Sequence, residues 1–347
     1  MTPEPPPPAL RLEIDSAALA DNWRALDRLS GRARAGAAVK ANAYGLGIAA
    51  VVPVLRDAGC RDFFVAHWSE AADVAALVDP AAISVLHGPL TAADAAYARA
   101  LGIKPVINSL RQARLWLDAG GGLCDLMVDT GINRLGLPLT DIGDEAIARL
   151  DIDVLMSHLA SADEDVGLNE LQRQRWEQAR TTLRHRRASL ANSAGITLGA
   201  GYHGELTRPG ISLYGGVQRD ELADTIRQVA RPMTAIMQVR HIEAGDSLGY
   251  NATFTASAPM RVGTIALGYA DGYLRCWSGR GVMLSHDRAL PVLGRVSMDM
   301  TIVDLSAASD LGEGDWLEVQ YSLPVAAAKS GLSQYELVTL IGNRFGR

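Results

Sequence analysis

The sequence predicts an α/β fold, an N-terminal (β/α)8 barrel followed by a mainly-β domain. Three observations predict it. From residue 10 to about 215, short apolar runs alternate with amphipathic, helix-like segments, the rhythm of βαβ units with parallel pairing. After that point the texture changes to alternating runs joined by short turns, as in a compact β domain. The polar residues suited to chemistry fall at or just beyond the C-terminal ends of the apolar runs, the face where such barrels carry their sites. A doubly wound sheet is the rival that this last observation disfavours.

The apolar runs are LRLEI (10–14), AGAAV (35–39), FFVAH (63–67), ISVLH (83–87), KPVIN (104–108), DLMVD (125–129), DVLMSH (153–158), ASLAN (188–192) and GISLYG (210–215). Setting the first aside leaves eight strands, with GISLYG as the eighth. Between them, Ser16 can cap a helix that puts Leu19, Trp23 and Leu26 on one face. Asn169 precedes another with Trp176, Ala179 and Leu183 on its buried side. Residues 217–232 read as a connecting helix ending before Pro232. MTAIMQVRHI, RVGTIALGY, GVMLS, ALPVLG, TIVDLS and WLEVQ then supply the β domain, closed by a helix at YELVTLIG. The expected division is a proline-rich disordered tail at 1–9, the barrel at 10–225 and the β domain at 226–347, although LRLEI could return to pair with the β domain.

A chain of 347 residues that is 48% hydrophobic is long and apolar enough for one large core and one smaller one. The net charge of −6, without a lysine/arginine cluster, argues against a nucleic-acid partner. Cys60, Cys124 and Cys276 are scattered, with no metal-ligand spacing and no disulfide framework, so they read as thiols in a reducing compartment. The N-terminus MTPEPPPPAL has no apolar signal core, and no apolar stretch reaches membrane-spanning length. A cytoplasmic protein that binds neither metal nor membrane is expected.

The stretch AAVKANAYGLG (37–47) ends an apolar run in a lysine. Alone, Lys40 could be a surface charge, a phosphate contact or a covalent catalyst. Around it gather other strand-end residues: Tyr44; Arg134 in DTGINRLG; His158; Asn192 and Ser193; Arg208, Gly210 and Ile211 at the start of the eighth strand. A barrel's usual phosphate site uses the loops after strands seven and eight, which suits Ser193 and the backbone around Gly210 and Ile211. A phosphate site, a strand-end lysine and neighbouring arginines together suggest pyridoxal 5′-phosphate held on Lys40 as an imine. Singly, each of these residues is more commonplace: a solvated lysine, a core histidine, capping arginines, turn glycines.

As an ordered set, AAVKANAYGLG, DTGINRLG, SHLASAD, ANSAG, RPGISLYG, GYNATFT, GYADGY and GRVSMDM resemble the bacterial, barrel-type alanine racemase family of pyridoxal-phosphate enzymes, from residue 37 to residue 300. The resemblance implies racemisation of L-alanine to D-alanine, supplying peptidoglycan precursors. It implies two acid/base groups on opposite faces of the substrate: Lys40, and Tyr250 contributed by the other subunit of a head-to-tail homodimer. It further implies a chain Tyr250–His158–Arg208 that tunes the phenol, with Arg208 facing the pyridine nitrogen. Arg134, Met298 and Asp299 would hold the substrate carboxylate, the last two from the partner chain. Tyr44, Ser193, Gly210 and Ile211 would cradle the phosphate, and Tyr269 would narrow the entrance in favour of a small substrate.

Two positions depart from that pattern. Met127 stands seven residues before Arg134, where the family often has a lysine modified to a carbamate, and a thioether supplies no such negative charge. The chain ends GNRFGR, without the tyrosine that usually reaches the phosphate. A serine or broad-specificity racemase and a non-catalytic pyridoxal-phosphate-binding or homeostasis protein are the alternatives. A decarboxylase of the same architecture fits GRVSMDM and GYNATFT less well.

Overall fold

The computed structural model describes residues 6–342, 344 and 345. The chain forms two compact units, Ser16–Arg227 and, for the other, the segments up to Asp15 and from Gln228 onward.

The first unit opens with the helix Ser16–Leu29, which buries Leu19, Trp23 and Leu26 on one face, as their spacing predicts. Parallel strands then follow in spatial order from Ala37–Ala38 through Phe63–Val65, Ile83–Val85, Lys104–Ile107, Leu123–Asp129 and Asp151–Met156 to Arg187–Ser189. Most are short and covered on both faces, so they read as continuous apolar runs. Phe64, Val106, Met127, Val154, Met156 and Leu206 pack together as one inner cluster. Met127 is thus a core residue, 7% exposed.

The ring closes differently from the expectation. GISLYG is not the eighth strand: residues Ile211–Tyr214 form a 3-10 turn. The eighth strand is Leu206–Thr207, parallel to Arg34–Ala35. On its other side Glu205 N donates to Ala188 O and Arg208 N to Ala191 O, both 2.9 Å. A two-residue strand carries too little pattern to be seen beside the longer apolar run that follows it.

In the second unit a seven-stranded antiparallel sheet runs in the order Leu10–Ile14, Ala230–Ile242, Met260–Ile265, Thr301–Asp304, Arg288–Leu293, Val282–Ser285, Trp316–Val319. The last strand pairs back onto Ala230–Ile242, which closes the sheet into a barrel. The LRLEI strand, inside the range expected for the first barrel, belongs here, with Leu12 opposite Pro232. The expected helix at 217–232 is reduced to a 3-10 turn at Asp220–Leu222. Over Ala230–Thr234 burial alternates residue by residue, the period of a strand, and Pro232 lies inside that strand. Of the expected tail, residues 1–5 lie outside the described residues, and 6–9 have no regular structure as they lead into Leu10. The helices Leu323–Ser330 and Gln334–Thr339 follow the last strand. Among the described residues, no helix is long and apolar enough to cross a membrane.

Candidate active site

Lys40 opens a short turn, Lys40–Tyr44, at the end of the strand Ala37–Ala38. That turn is left-handed: Ala41, Asn42, Ala43 and Tyr44 have φ of 54°, 52°, 55° and 54°. Each such L-residue costs roughly 1–2 kcal/mol, so the turn persists only because its surroundings hold it. Ala43 N donates to Val39 O and Gly45 N to Ala41 O, both 2.8 Å, and Gly47 N donates to Asn42 O at 2.9 Å. Asn42 Oδ1 accepts from Ile48 N at 2.8 Å. The geometry bends the chain sharply, leaving Lys40 at the strand end and burying Tyr44.

Tyr44 stacks on Tyr214, ring centroids 4.7 Å apart, and the Tyr214 hydroxyl donates to Ala38 O at 2.8 Å. The Tyr44 hydroxyl lies where a Cβ on residue 210 would stand, 2.4 Å from that position, so a glycine is required there. Gly210 N and Ser212 N both donate to Ser193 Oγ, at 2.9 and 3.3 Å. Ser193 is 2% exposed, and the buried Ser212 Oγ has no hydrogen-bond partner among the described residues. Hydroxyls and amides converging where a buried hydroxyl lacks a partner form a cradle suited to an oxyanion. Gly210 and Ile211 serve it from the 3-10 turn after the eighth strand, not from the strand itself. Asn192 contributes differently: its Oδ1 accepts from Gly195 N at 2.8 Å, which shapes the loop carrying Ser193.

The charges at this end of the barrel are mostly positive. Burial, then the charge of Arg134, holds the Lys40 amine below the ordinary lysine range, with Glu70 opposing them. Burial lowers Arg208 to about 10, with Asp125 opposing. His158 is driven down to about 3 by burial and by the charges of Arg208, Arg134 and Lys40, so its ring is neutral near pH 7. Arg208 donates to Ser189 Oγ and to Ser157 O. Among the described residues no hydrogen bond joins it to the His158 ring, so that part of the expected chain is one of proximity and charge. The exposed Arg134 has no ion-pair partner among the described residues. Asp129 Oδ1 accepts Gly131 N, Ile132 N and Asn133 N at 2.8, 3.1 and 3.2 Å, fixing the backbone of the loop that carries Arg134.

The remaining expected residues lie in the second unit. Tyr250 is 69% exposed on a 3-10 turn beside the hairpin of Ser247–Leu248 with Phe254–Thr255. Tyr269 N donates to Ser297 O and Ala270 N to Met298 O, both 3.0 Å, which joins the Tyr269 loop to that of Met298 and Asp299. The Tyr269 ring lies under Arg275, 5.4 Å from ring centroid to guanidinium. Near the C-terminus, Arg344 pairs with both Asp271 and Asp299 at 2.7 Å and braces the two loops.

Sequence reading missed a charged network inside the first barrel, at the opposite ends of its strands. Lys104 lies 2.6 Å from Asp153 and 3.8 Å from Asp125. Arg187 bonds Asp62 through two nitrogens, at 2.9 and 3.1 Å, and Asp153 at 2.7 Å. Ser84 Oγ donates to Asp125 Oδ2 at 2.6 Å. The available signal was a charged residue at or near the start of consecutive apolar strands, in KPVI, LCDLMVD, DIDVLM and RAS.

A parallel barrel whose mouth carries a half-buried amine near arginines and an oxyanion cradle defines a class, the barrel enzymes that act on small anionic molecules. Comparison with known proteins makes this specific. The model of the alanine racemase N-terminal domain matches residues 14–218, and that of the alanine racemase C-terminal domain matches residues 229–347. The chain belongs to the alanine racemase family. It is 42% identical to the alanine racemase of Methylobacterium nodulans, over 97% of this chain and 95% of that one. Among solved structures, it resembles the alanine racemase of Bartonella henselae with covalently bound pyridoxal phosphate (TM-score 0.90, 31% identity, 99% of each chain). It also resembles the biosynthetic alanine racemase of Pseudomonas aeruginosa (TM-score 0.87, 33% identity, 99% of each chain).

Proposed function

We propose that this protein interconverts L- and D-alanine with pyridoxal 5′-phosphate by a two-base mechanism, as a head-to-tail homodimer supplying D-alanine for peptidoglycan. The observation that carries the reading is a lysine of lowered basicity beside a hydroxyl-and-amide cradle, with arginines in excess of carboxylates around it.

The residues fit the cofactor. The unpartnered Ser212 Oγ, the Ser193 hydroxyl and the Tyr44 hydroxyl brought in over Gly210 offer the polar groups a phosphate needs. Tyr44, Ser193, Gly210 and Ile211 would hold that phosphate, Lys40 would hold the aldehyde carbon, and Arg208 would face the ring nitrogen. When bound, pyridoxal phosphate supplies the electron sink that acidifies the substrate Cα–H.

The protein's own residues do the rest. A half-buried amine near a cation holds its proton less tightly, which suits Lys40 to take a proton from Cα and return one. Arg134, without an ion-pair partner among the described residues, would pair with the substrate carboxylate. Tyr250 of the partner subunit would act on the opposite face, exchanging the second proton through its phenol. His158, kept neutral, can accept a hydrogen bond from that phenol and ease its deprotonation. Tyr269, Met298 and Asp299 would narrow the substrate space. The large exposed apolar side chains Met237, Tyr250, Met298 and Met300 on the β unit support a subunit interface. Three unpaired thiols support a cytoplasmic setting.

A chiral assay on the purified protein with pyridoxal phosphate and, in parallel, L-alanine, L-serine and L-lysine tests this. D-Alanine forming fastest is the expected result. Faster turnover of serine or lysine would reassign the substrate, and a cofactor-loaded protein inert toward all three would point to a non-catalytic carrier.

A further inference from the structure

The left-handed turn that carries Lys40 is held from outside by a residue with no assigned role. Glu70, on the first turn of the helix Trp68–Ala75, accepts Ala66 N and His67 N on Oε2, at 2.8 and 3.1 Å. Its other oxygen, Oε1, accepts Asn42 N at 3.3 Å, from the middle of the left-handed turn. One half-buried carboxylate therefore ties the loop after the second barrel strand to the backbone two residues from Lys40. Sequence alone suggests no more than an acidic residue near a helix N-terminus.

We propose that Glu70 is the positioning residue of Lys40: it locks the strained turn and supplies the negative charge that balances the amine in a cationic mouth. The proposal rests on the reading that Lys40 carries the cofactor. The charges that face the amine are few. Arg134 comes from the loop after Leu123–Asp129, Glu70 from its helix, and His158 from the end of Asp151–Met156. His87 follows Ile83–Val85, and His67 packs edge-on against it with ring centroids 4.3 Å apart. Of these only Glu70 is a carboxylate, so it alone favours the protonated amine, while Arg134 opposes it. The same carboxylate thus sets where the turn sits and how readily Lys40 gives up its proton.

Two variants separate the two roles in the pyridoxal-phosphate-loaded protein. Glu70→Gln removes the charge at nearly constant shape, and Asn42→Ala loosens the turn while leaving the charge. One readout is the pH midpoint of the Lys40-dependent visible absorbance. The other is amide hydrogen exchange across residues 41–48, followed by mass spectrometry. For Glu70→Gln the midpoint is expected to move to lower pH and exchange to quicken on the order of tenfold, the loss of one charge-assisted hydrogen bond. For Asn42→Ala exchange quickens and the midpoint stays. Should Glu70→Gln fold poorly, Glu70→Asp, with the charge kept but one methylene shorter, is expected to hold the midpoint and lose protection. A midpoint unmoved in Glu70→Gln, with or without faster exchange, overturns the proposal. Absence of the Lys40-dependent band in the wild-type protein would instead sink the reading of Lys40 itself and this proposal with it.

Discussion

The two ends of the first barrel's interior both carry charge, and they handle it in opposite ways. At the floor, Lys104 and Arg187 are matched by Asp62, Asp125 and Asp153, and the members lie within 4 Å of a partner of opposite sign. Burial pulls the Lys104 amine down, but the aspartates outweigh it and hold it above the ordinary range. Burial pushes Asp153 up, yet Arg187 and Lys104 bring it down to about 2. At the mouth, the charges of Lys40, Arg134 and Arg208 all bear on His158, and at the Lys40 amine the carboxylate of Glu70 opposes that of Arg134. The floor completes itself within the chain; on the function proposed above, the mouth would be completed by the phosphate and carboxylate of its ligands. A self-satisfied network serves stability, and an unbalanced one keeps affinity in reserve for a ligand.

The largest expected effect lies at the mouth. Lys40→Ala should abolish racemisation, and Tyr250→Phe should slow it by about 10²–10⁴-fold, the usual contribution of a positioned acid or base; the chiral assay reads both. Next, the floor can be broken by Lys104→Met, which leaves the buried Asp125 without a cation and Asp153 with Arg187 alone. A loss of about 3–5 kcal/mol in denaturant unfolding is expected, with turnover per folded molecule close to wild type. The matching change at the mouth, Arg134→Met, should leave stability within about 0.5 kcal/mol and raise KM for alanine. If the two variants exchanged these phenotypes, the contrast between the ends would be wrong.

Smaller effects sharpen it. Gly210→Ala drives a methyl against the Tyr44 hydroxyl and should weaken cofactor binding roughly tenfold, as for the loss of one good contact; fluorescence titration with pyridoxal phosphate measures it. The pH dependence follows from His158. Its folded value, about 3, is below the ordinary value of 6.5, so between those limits the unfolded chain binds the extra proton. That contribution to stability is complete above about pH 6.5 and declines as pH falls toward 3. His158→Gln should flatten this part of the curve in urea melts taken across the window.

The same contrast marks what the sequence made legible. Lys40, Ser193, Arg208 and Gly210 sit in contiguous motifs at strand ends, so their shared location follows once a barrel is inferred. The floor network is assembled from residues as far apart as Asp62 and Arg187, each an ordinary polar residue at the edge of an apolar run. Its pairing depends on strand register, which a local pattern does not carry. The eighth strand escaped for a related reason: two residues have no period. Glu70 escaped because its bond to Asn42 depends on a left-handed turn that Ala, Asn and Tyr rarely adopt.

The most direct test is borohydride reduction of the purified, pyridoxal-phosphate-loaded protein, followed by peptide mapping. A visible band that bleaches, with one pyridoxyl group found on Lys40, is the predicted result. A band that survives, or a label on any other lysine, would contradict the account.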